Sequence, residues 1–165
     1  MERDFQDPTA LSGYVVTDFA RSCLGRMATG LKPRSGNRAW RMTGDYGCGK
    51  SSFALLLAHW FAGHDQNFPT DLRKAVNPHQ FGVQRPHFLP VLVTCARQSL
   101  GTSILHSLQA ALAQLQTRGP KWKLAQEVQG LLESEHQPPD DQVFRLICET
   151  NARLIAESKA KGLLL

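Results

Sequence analysis

The chain reads Gly44-Asp45-Tyr46-Gly47-Cys48-Gly49-Lys50-Ser51 in its first third. These residues match G-x-x-x-x-G-K-[ST], the pattern of a loop that wraps around the phosphates of a nucleotide. The glycines let the backbone turn with positive φ and bring its N–H groups close to an anion. The pattern therefore predicts a nucleoside triphosphate site.

The residue types in this pattern also predict a role for each side chain. Lys50 is the expected catalytic residue, because its ammonium can reach the β- and γ-phosphates and stabilise charge on the transferred phosphoryl group. The Ser51 hydroxyl is expected to ligate Mg²⁺, and the helix that begins here directs its positive end at the same anion. A nucleoside triphosphate and Mg²⁺ are the ligands that this pattern predicts. The predicted nucleotide contacts are Gly44, Asp45, Tyr46, Gly47, Cys48, Gly49, Lys50, Ser51 and Ser52.

A phosphate loop of this kind follows a strand and opens a helix. Residues 38–43 form a short run that predicts the strand, although Arg38 and Arg41 make it more polar than a central parallel strand normally is. Residues 52–62 have apolar side chains at helical spacing, and Gly63 is placed to end that helix. The neighbouring sequence thus agrees with the motif.

The rest of the chain predicts further helices and strands. Apolar stripes predict helices over 103–117, over 122–132 and from about 140 to 160, and a short helix is expected around 70–76. Residues 88–95 predict a buried strand of a parallel sheet. Leu163-Leu164-Leu165 predicts the first half of another buried strand, cut before its end.

Residues 38–55 resemble the N-terminal ATPase region of large prokaryotic P-loop proteins of the AAA+ and STAND type. Many such proteins are encoded in phage-defence systems, including BREX-like ones. The resemblance extends from about residue 14 to residue 165. It implies an α/β fold, the three-layer P-loop NTPase with a parallel sheet flanked by helices, incomplete in this chain. Residues 161–165 resemble the approach to the Walker B acidic pair, whose acids would lie beyond this chain.

The same resemblance implies a domain organisation and a function. Residues 1–35 would be a helical lead-in segment, and residues 36–165 the N-terminal part of the NTPase domain, ending in the Walker B strand. The complete protein would bind and hydrolyse ATP and couple hydrolysis to conformational change. Its partners would be the nucleotide, further copies of itself or other defence-system proteins.

Composition sets the remaining limits. A net charge of +5 permits contact with nucleic acid without specifying it, since the basic residues are dispersed. The longest apolar stretch, residues 53–61, is too short to cross a bilayer, and the N-terminus has no secretory signal pattern, so we expect a cytoplasmic protein without membrane contact. The four cysteines and six histidines lack the spacing of a metal site.

Two other classes of function stay open from the sequence. One is a small nucleotide-dependent kinase or a GTPase, although the guanine-reading Asn-Lys-x-Asp pattern does not occur in the chain. The other is a non-catalytic interaction fragment whose helices at 103–117 and 140–160 dock on a partner. Loss of ATP affinity in Lys50→Ala would separate the nucleotide site from this second class.

Overall fold

The structure, a computed structural model, describes residues 2–7, 9–32, 35–94, 97–115, 122–134 and 136–165. Its contacts divide the chain into two compact units, Met1–His87 and Phe88–Leu165. The functional division that the resemblance implies, at residue 35, stays a prediction.

The first unit is built from helices and turns. Its 3₁₀ turns span Asp65–Asn67 and Pro78–Phe81, and its helices are α1 (Glu2–Gln6), α2 (Asp18–Thr29), α3 (Lys50–Ala62) and α4 (Thr70–Ala75). The predicted helices over 52–62 and around 70–76 are confirmed. Helix α3 ends at Gly63, which has φ of 77° and so adopts the left-handed conformation of a glycine C-cap.

Helix α3 forms the centre of the first unit. It is apolar on nearly all sides, and most of its side chains from Phe53 onward are buried, as is typical of a central helix. Trp60 is fully buried, and its indole Nε1–H donates a hydrogen bond of 2.7 Å to the carbonyl oxygen of Val76. This bond satisfies the polar atom that burial of a tryptophan brings into the core.

In the second unit, the described residues form two short parallel strands and three helices. In chain order these are β1 (Leu89–Pro90), α5 (Leu100–Leu115), α6 (Lys123–Glu133), α7 (Asp140–Ala156) and β2 (Leu163–Leu164). Leu89 pairs with Leu163 and Pro90 with Leu164. The predicted strand in the C-terminal leucines is thus confirmed over Leu163–Leu164, and the three predicted helices lie close to their expected bounds. Residues 116 and 117, at the predicted end of the first, lie outside the described residues.

Side-chain hydrogen bonds attach the paired strands to the helices of the second unit. The side-chain oxygen of Asn151 on α7 accepts a 2.8 Å hydrogen bond from the N–H of Leu163. The Ser107 hydroxyl on α5 donates one of 2.8 Å to the carbonyl oxygen of Leu92. The core beneath them is made of fully buried side chains from all three helices, among them Leu105, Leu108, Leu112, Val128, Leu146 and Leu154.

The predicted fold class is wrong. The described residues are mainly helical, and their sheet has two strands of two residues each, so the expected α/β three-layer P-loop NTPase fold, with a parallel sheet flanked by helices, is not what this chain forms. Residues 38–43 form no strand. Their two arginines are exposed, and Trp40 and Met42 are 40% and 39% exposed. A central parallel strand, by contrast, is covered on both faces.

The strand predicted over 88–95 is also shorter than expected. The assigned strand is Leu89–Pro90, and the N–H of Val91 adds one further hydrogen bond of 2.7 Å to the carbonyl oxygen of Leu164. Pro90 offers no N–H, and the Leu92 carbonyl is taken by Ser107 rather than by a strand. Cys95, at the predicted end, lies outside the described residues.

Candidate functional site

The 44–51 loop lies exposed in the first unit and leads directly into helix α3. Gly47 and Gly49 have φ of 81° and 83°, in the left-handed region that side chains disfavour. Among the described residues, no atom lies within 4 Å of a Cβ added at either position. Glycine is therefore required here by the turn of the backbone and not by packing.

Lys50, the first residue of α3, folds its side chain back across this loop. Its ammonium nitrogen donates hydrogen bonds to the carbonyl oxygens of Gly44, at 2.7 Å, and of Asp45, at 2.6 Å. The same nitrogen lies 3.6 Å from the Cys48 sulfur. The two ends of the loop are thus connected through one side chain, and a positive charge is held at the mouth of the helix.

The first turn of α3 offers backbone N–H groups to an anion. The first N–H groups of a helix have no acceptor within it, and the N-cap residue Gly49 has no side chain to supply one. The turn contains no acidic residue, so the positive end of the helix dipole is not neutralised there. Ser51 and Ser52 lie exposed in this same turn. The arrangement suits a phosphate group.

The structure brings some of the predicted contact residues together and leaves others apart. Gly44, Asp45, Cys48 and Lys50 share the hydrogen bonds described above. Asp45 takes part through its backbone carbonyl, and the Cys48 thiol approaches Gly44 so closely that a Cβ there would lie 2.9 Å from the sulfur. The Tyr46 side chain is fully exposed.

The metal prediction concerns Ser51 alone. Within the described parts of the chain, no group of three or more histidine, cysteine, aspartate or glutamate side chains could hold a metal ion. The Ser51 hydroxyl lies exposed in the first turn of α3, where it can serve as one ligand of a Mg²⁺ ion that also binds phosphate oxygens. Mg²⁺ in proteins is usually bound by one or two protein ligands together with waters and phosphate oxygens. The prediction that Ser51 is a Mg²⁺ ligand therefore does not need a cluster of protein ligands and stays open.

Sequence reasoning missed a hollow in the same unit as the 44–51 loop. It has a volume of about 280 Å³ and is lined by Arg26, Thr29, Asn37, Ala39 and Trp40. The Arg26 guanidinium lies over the Trp40 ring, 5.6 Å from its centroid. In the sequence, this hollow could have been indicated by a tryptophan that lies in a polar, arginine-containing segment just before the loop.

A second feature of the first unit is a group of aromatic rings around His59. This histidine is 8% exposed, stacks on Phe5 with ring centroids 4.4 Å apart and lies 5.9 Å from the His64 ring. Burial, and then the nearby His64, lower the pKa of His59 to about 4. The ring is therefore neutral at physiological pH and acts as a packing group.

No helix in the described parts of the chain is long and apolar enough to cross a bilayer. Comparison with protein-family models, with curated proteins and with solved structures finds no match to this chain.

Proposed function

We propose that residues 44–52 form the phosphate site of an ATP-binding protein. The observation that carries the proposal is the position of Lys50, whose ammonium is held at the mouth of α3 by the carbonyl oxygens of Gly44 and Asp45. The resemblance of residues 38–55 to P-loop ATPases supports ATP as the nucleotide. It also supports an extension, in which the complete protein hydrolyses ATP and couples hydrolysis to conformational change, as in prokaryotic antiviral defence.

The hydrogen-bonding capacity of Lys50 supports a phosphate as the third partner. A lysine ammonium has three N–H donors. Two of them are directed at the loop carbonyls, and the Cys48 sulfur lies at 3.6 Å. Sulfur is a weak acceptor, whereas a phosphate oxygen is a much stronger one, because the bond is then charge-assisted on both sides. A bound triphosphate can therefore take the third donor without opening the loop.

The backbone and Ser51 supply the remaining contacts of the proposed site. The N–H groups of the first turn of α3 bind the phosphate oxygens, and the dipole of this helix adds to the charge of Lys50. The Ser51 hydroxyl would help hold Mg²⁺, which would supply positive charge to the bound phosphates.

The direct test is isothermal titration of the chain with ATP in the presence of Mg²⁺. Hydrogen bonds to charged groups contribute about 1.5–3 kcal/mol, so we expect Lys50→Ala to weaken binding by about 10- to 150-fold. Lys74→Ala, which removes an exposed lysine from the last turn of α4 in the same unit, serves as the matched control and should bind as the wild type does. A wild-type chain without ATP affinity, or equal affinities in both variants, would refute the proposal.

The role of Ser51 has its own test. Ser51→Ala should lower ATP affinity in the presence of Mg²⁺ and leave it unchanged in EDTA, since the hydroxyl acts through the metal. Equal losses in both conditions would contradict a metal ligand. Release of inorganic phosphate by the wild type and not by Lys50→Ala would extend the proposal from binding to hydrolysis.

A further inference from the structure

The hollow beside Trp40 has room for a flat ring such as a nucleobase. Its volume is about 280 Å³. Pockets that enclose a complete small molecule begin at roughly 300 Å³. A smaller hollow of the first unit, at His59, measures about 100 Å³. The Trp40 hollow is therefore the better candidate for a flat ring.

Trp40 and Arg26 form two parts of a stacking platform. Nucleobases stack on aromatic side chains and on the planar guanidinium of arginine. The guanidinium carbon is 5.6 Å from the centroid of the Trp40 ring. A ring inserted between them needs about 7 Å, or two contacts of about 3.5 Å. Both side chains are exposed, so a small outward movement of Arg26 is enough to admit a base.

Polar side chains at the edge of this hollow can form hydrogen bonds with the edge of a purine. Asn37 lines the hollow, and its side-chain amide carries both donors and an acceptor, as does the edge of an adenine. The Thr29 hydroxyl donates its proton to the Gly25 carbonyl oxygen at 2.9 Å, so its oxygen lone pairs remain to accept from an exocyclic amino group. These two residues can hold a base in one orientation.

The distance along the chain allows one ligand to reach both sites. Trp40 precedes Gly44 by four residues, which span at most about 14 Å when fully extended. A triphosphate, a ribose and a base together cover a comparable length. The exposed Arg38 and Arg41 on this segment add positive charge where a polyanion would pass.

We infer that the Trp40 hollow is the nucleobase subsite of the 44–51 loop, and that it takes the purine ring of the bound nucleoside triphosphate. The ring lies between the Trp40 indole and the Arg26 guanidinium, with its edge at Asn37 and Thr29. This inference rests on the proposed function, since the triphosphate of the same ligand occupies the loop. It makes Trp40 and Arg26 determinants of affinity for the base and not for the phosphates.

The test compares ATP with inorganic tripolyphosphate, which lacks the base, by isothermal titration of the full chain. Base–aromatic stacking predicts that Trp40→Ala weakens ATP binding by about 5- to 150-fold and leaves tripolyphosphate binding unchanged. Trp40→Phe retains a stacking face and should restore most of the ATP affinity. Met42→Ala is the matched control, because Met42 lies two residues further along the same segment and is equally exposed, and it should bind both ligands as the wild type does.

The outcomes separate the two proposals. If Lys50→Ala weakens both ligands while Trp40→Ala binds ATP normally, the phosphate site stands and the base subsite is refuted. Equal losses of ATP and tripolyphosphate affinity in Trp40→Ala also refute the subsite, since Trp40 would then only support the loop. If the wild type binds neither ligand, both proposals fail together.

Discussion

The 44–51 loop and the turn before β2 both contain glycines with positive φ, but their surroundings differ. At Gly47 and Gly49 an added Cβ would meet no atom of the described residues within 4 Å. At Gly162, where φ is 141°, it would lie 2.7 Å from the Asn151 side-chain oxygen. Gly47 and Gly49 are therefore needed for the backbone of the loop alone, whereas Gly162 is also needed for packing.

This difference leaves open space at the loop, which the proposed phosphate site would use. The open side of the loop is free for phosphate groups, which need a close approach of the backbone. The space beside Gly162 is filled by Asn151, whose side-chain oxygen accepts a hydrogen bond from Leu163. Under the proposed function the first region binds the ligand, whereas the second holds the strands in place, and measurements of stability and ATP affinity can test that division.

The largest effect is expected from the core of the second unit, where Leu108 is fully buried. Leu108→Ala should lower the free energy of unfolding by about 2–5 kcal/mol, because it removes apolar contacts and leaves a cavity. Urea unfolding followed by circular dichroism measures this change. The control site is Phe144 on α7, whose side chain is 68% exposed. Phe144→Ala should cost less than about 1 kcal/mol, and similar losses in the two variants would show that the described core is wrong.

The comparison of glycines has a direct test in a pair of alanine variants. Gly162→Ala should destabilise the chain by about 1–3 kcal/mol, since it combines backbone strain with displacement of the Asn151 side chain. Gly47→Ala adds only backbone strain of about 1–2 kcal/mol. Because Gly47 lies in the exposed loop, we expect its replacement to reduce ATP affinity more than stability. Urea midpoints and ATP titrations of both variants provide the measurements, and the opposite ranking, with Gly162→Ala harming ATP binding more, would contradict the division.

Acid should destabilise the first unit through His59. Its folded-state pKa is about 4, below the ordinary value of 6.5, so the unfolded chain binds the proton first as pH falls. The stability contributed by the neutral ring is complete above about pH 6.5 and is lost towards pH 4. Between pH 7 and pH 5 the loss should be about 1–2 kcal/mol, measured as a shift of the urea midpoint.

A variant without the titrating ring checks the cause of this acid sensitivity. His59→Phe keeps an aromatic ring against Phe5 and should flatten the pH dependence. A remaining slope is expected from His64, whose pKa is lowered by burial and then by the charges of His87 and Arg85. If His59→Phe loses stability between pH 7 and pH 5 as steeply as the wild type, His59 is not the group responsible.

The smallest effect is expected at a glycine that neither backbone nor packing requires. Gly130 lies inside α6, is exposed and would place a Cβ in open space among the described residues. Gly130→Ala should therefore stabilise the chain by about 0.5–1 kcal/mol, because alanine loses less backbone entropy in a helix. Thermal unfolding measures this gain. A loss of stability in Gly130→Ala would contradict the open space that surrounds this glycine.

Local structure was the part that the sequence predicted well. The helix after the 44–51 loop, its end at Gly63 and the helices of the second unit follow from apolar spacing and capping residues within a few turns of chain. The position of Lys50 at the start of α3 follows in the same way from the G-x-x-x-x-G-K-[ST] pattern. These features depend on neighbouring residues, so the sequence carries them directly.

The extent of the sheet was the part that the sequence did not predict. Residues 38–43 have strand-like composition in places, but a central strand needs partners and cover on both faces, and Arg38 and Arg41 lie exposed. The Trp40 hollow was missed because it depends on Arg26, a residue on α2 that no local pattern connects with Trp40.

The amino-acid order alone determined a glycine-rich loop followed by a helix with lysine at its first turn, because φ preferences, capping and side-chain spacing act over a few residues. Only the tertiary structure decided that the sheet has two short strands, that Lys50 closes the loop through Gly44 and Asp45, and that Arg26 lies over Trp40. Some of these arrangements bring together groups that are distant in the chain. In others, a side chain contacts one of several partners that it could reach. They are settled by burial and hydrogen bonding in the folded molecule.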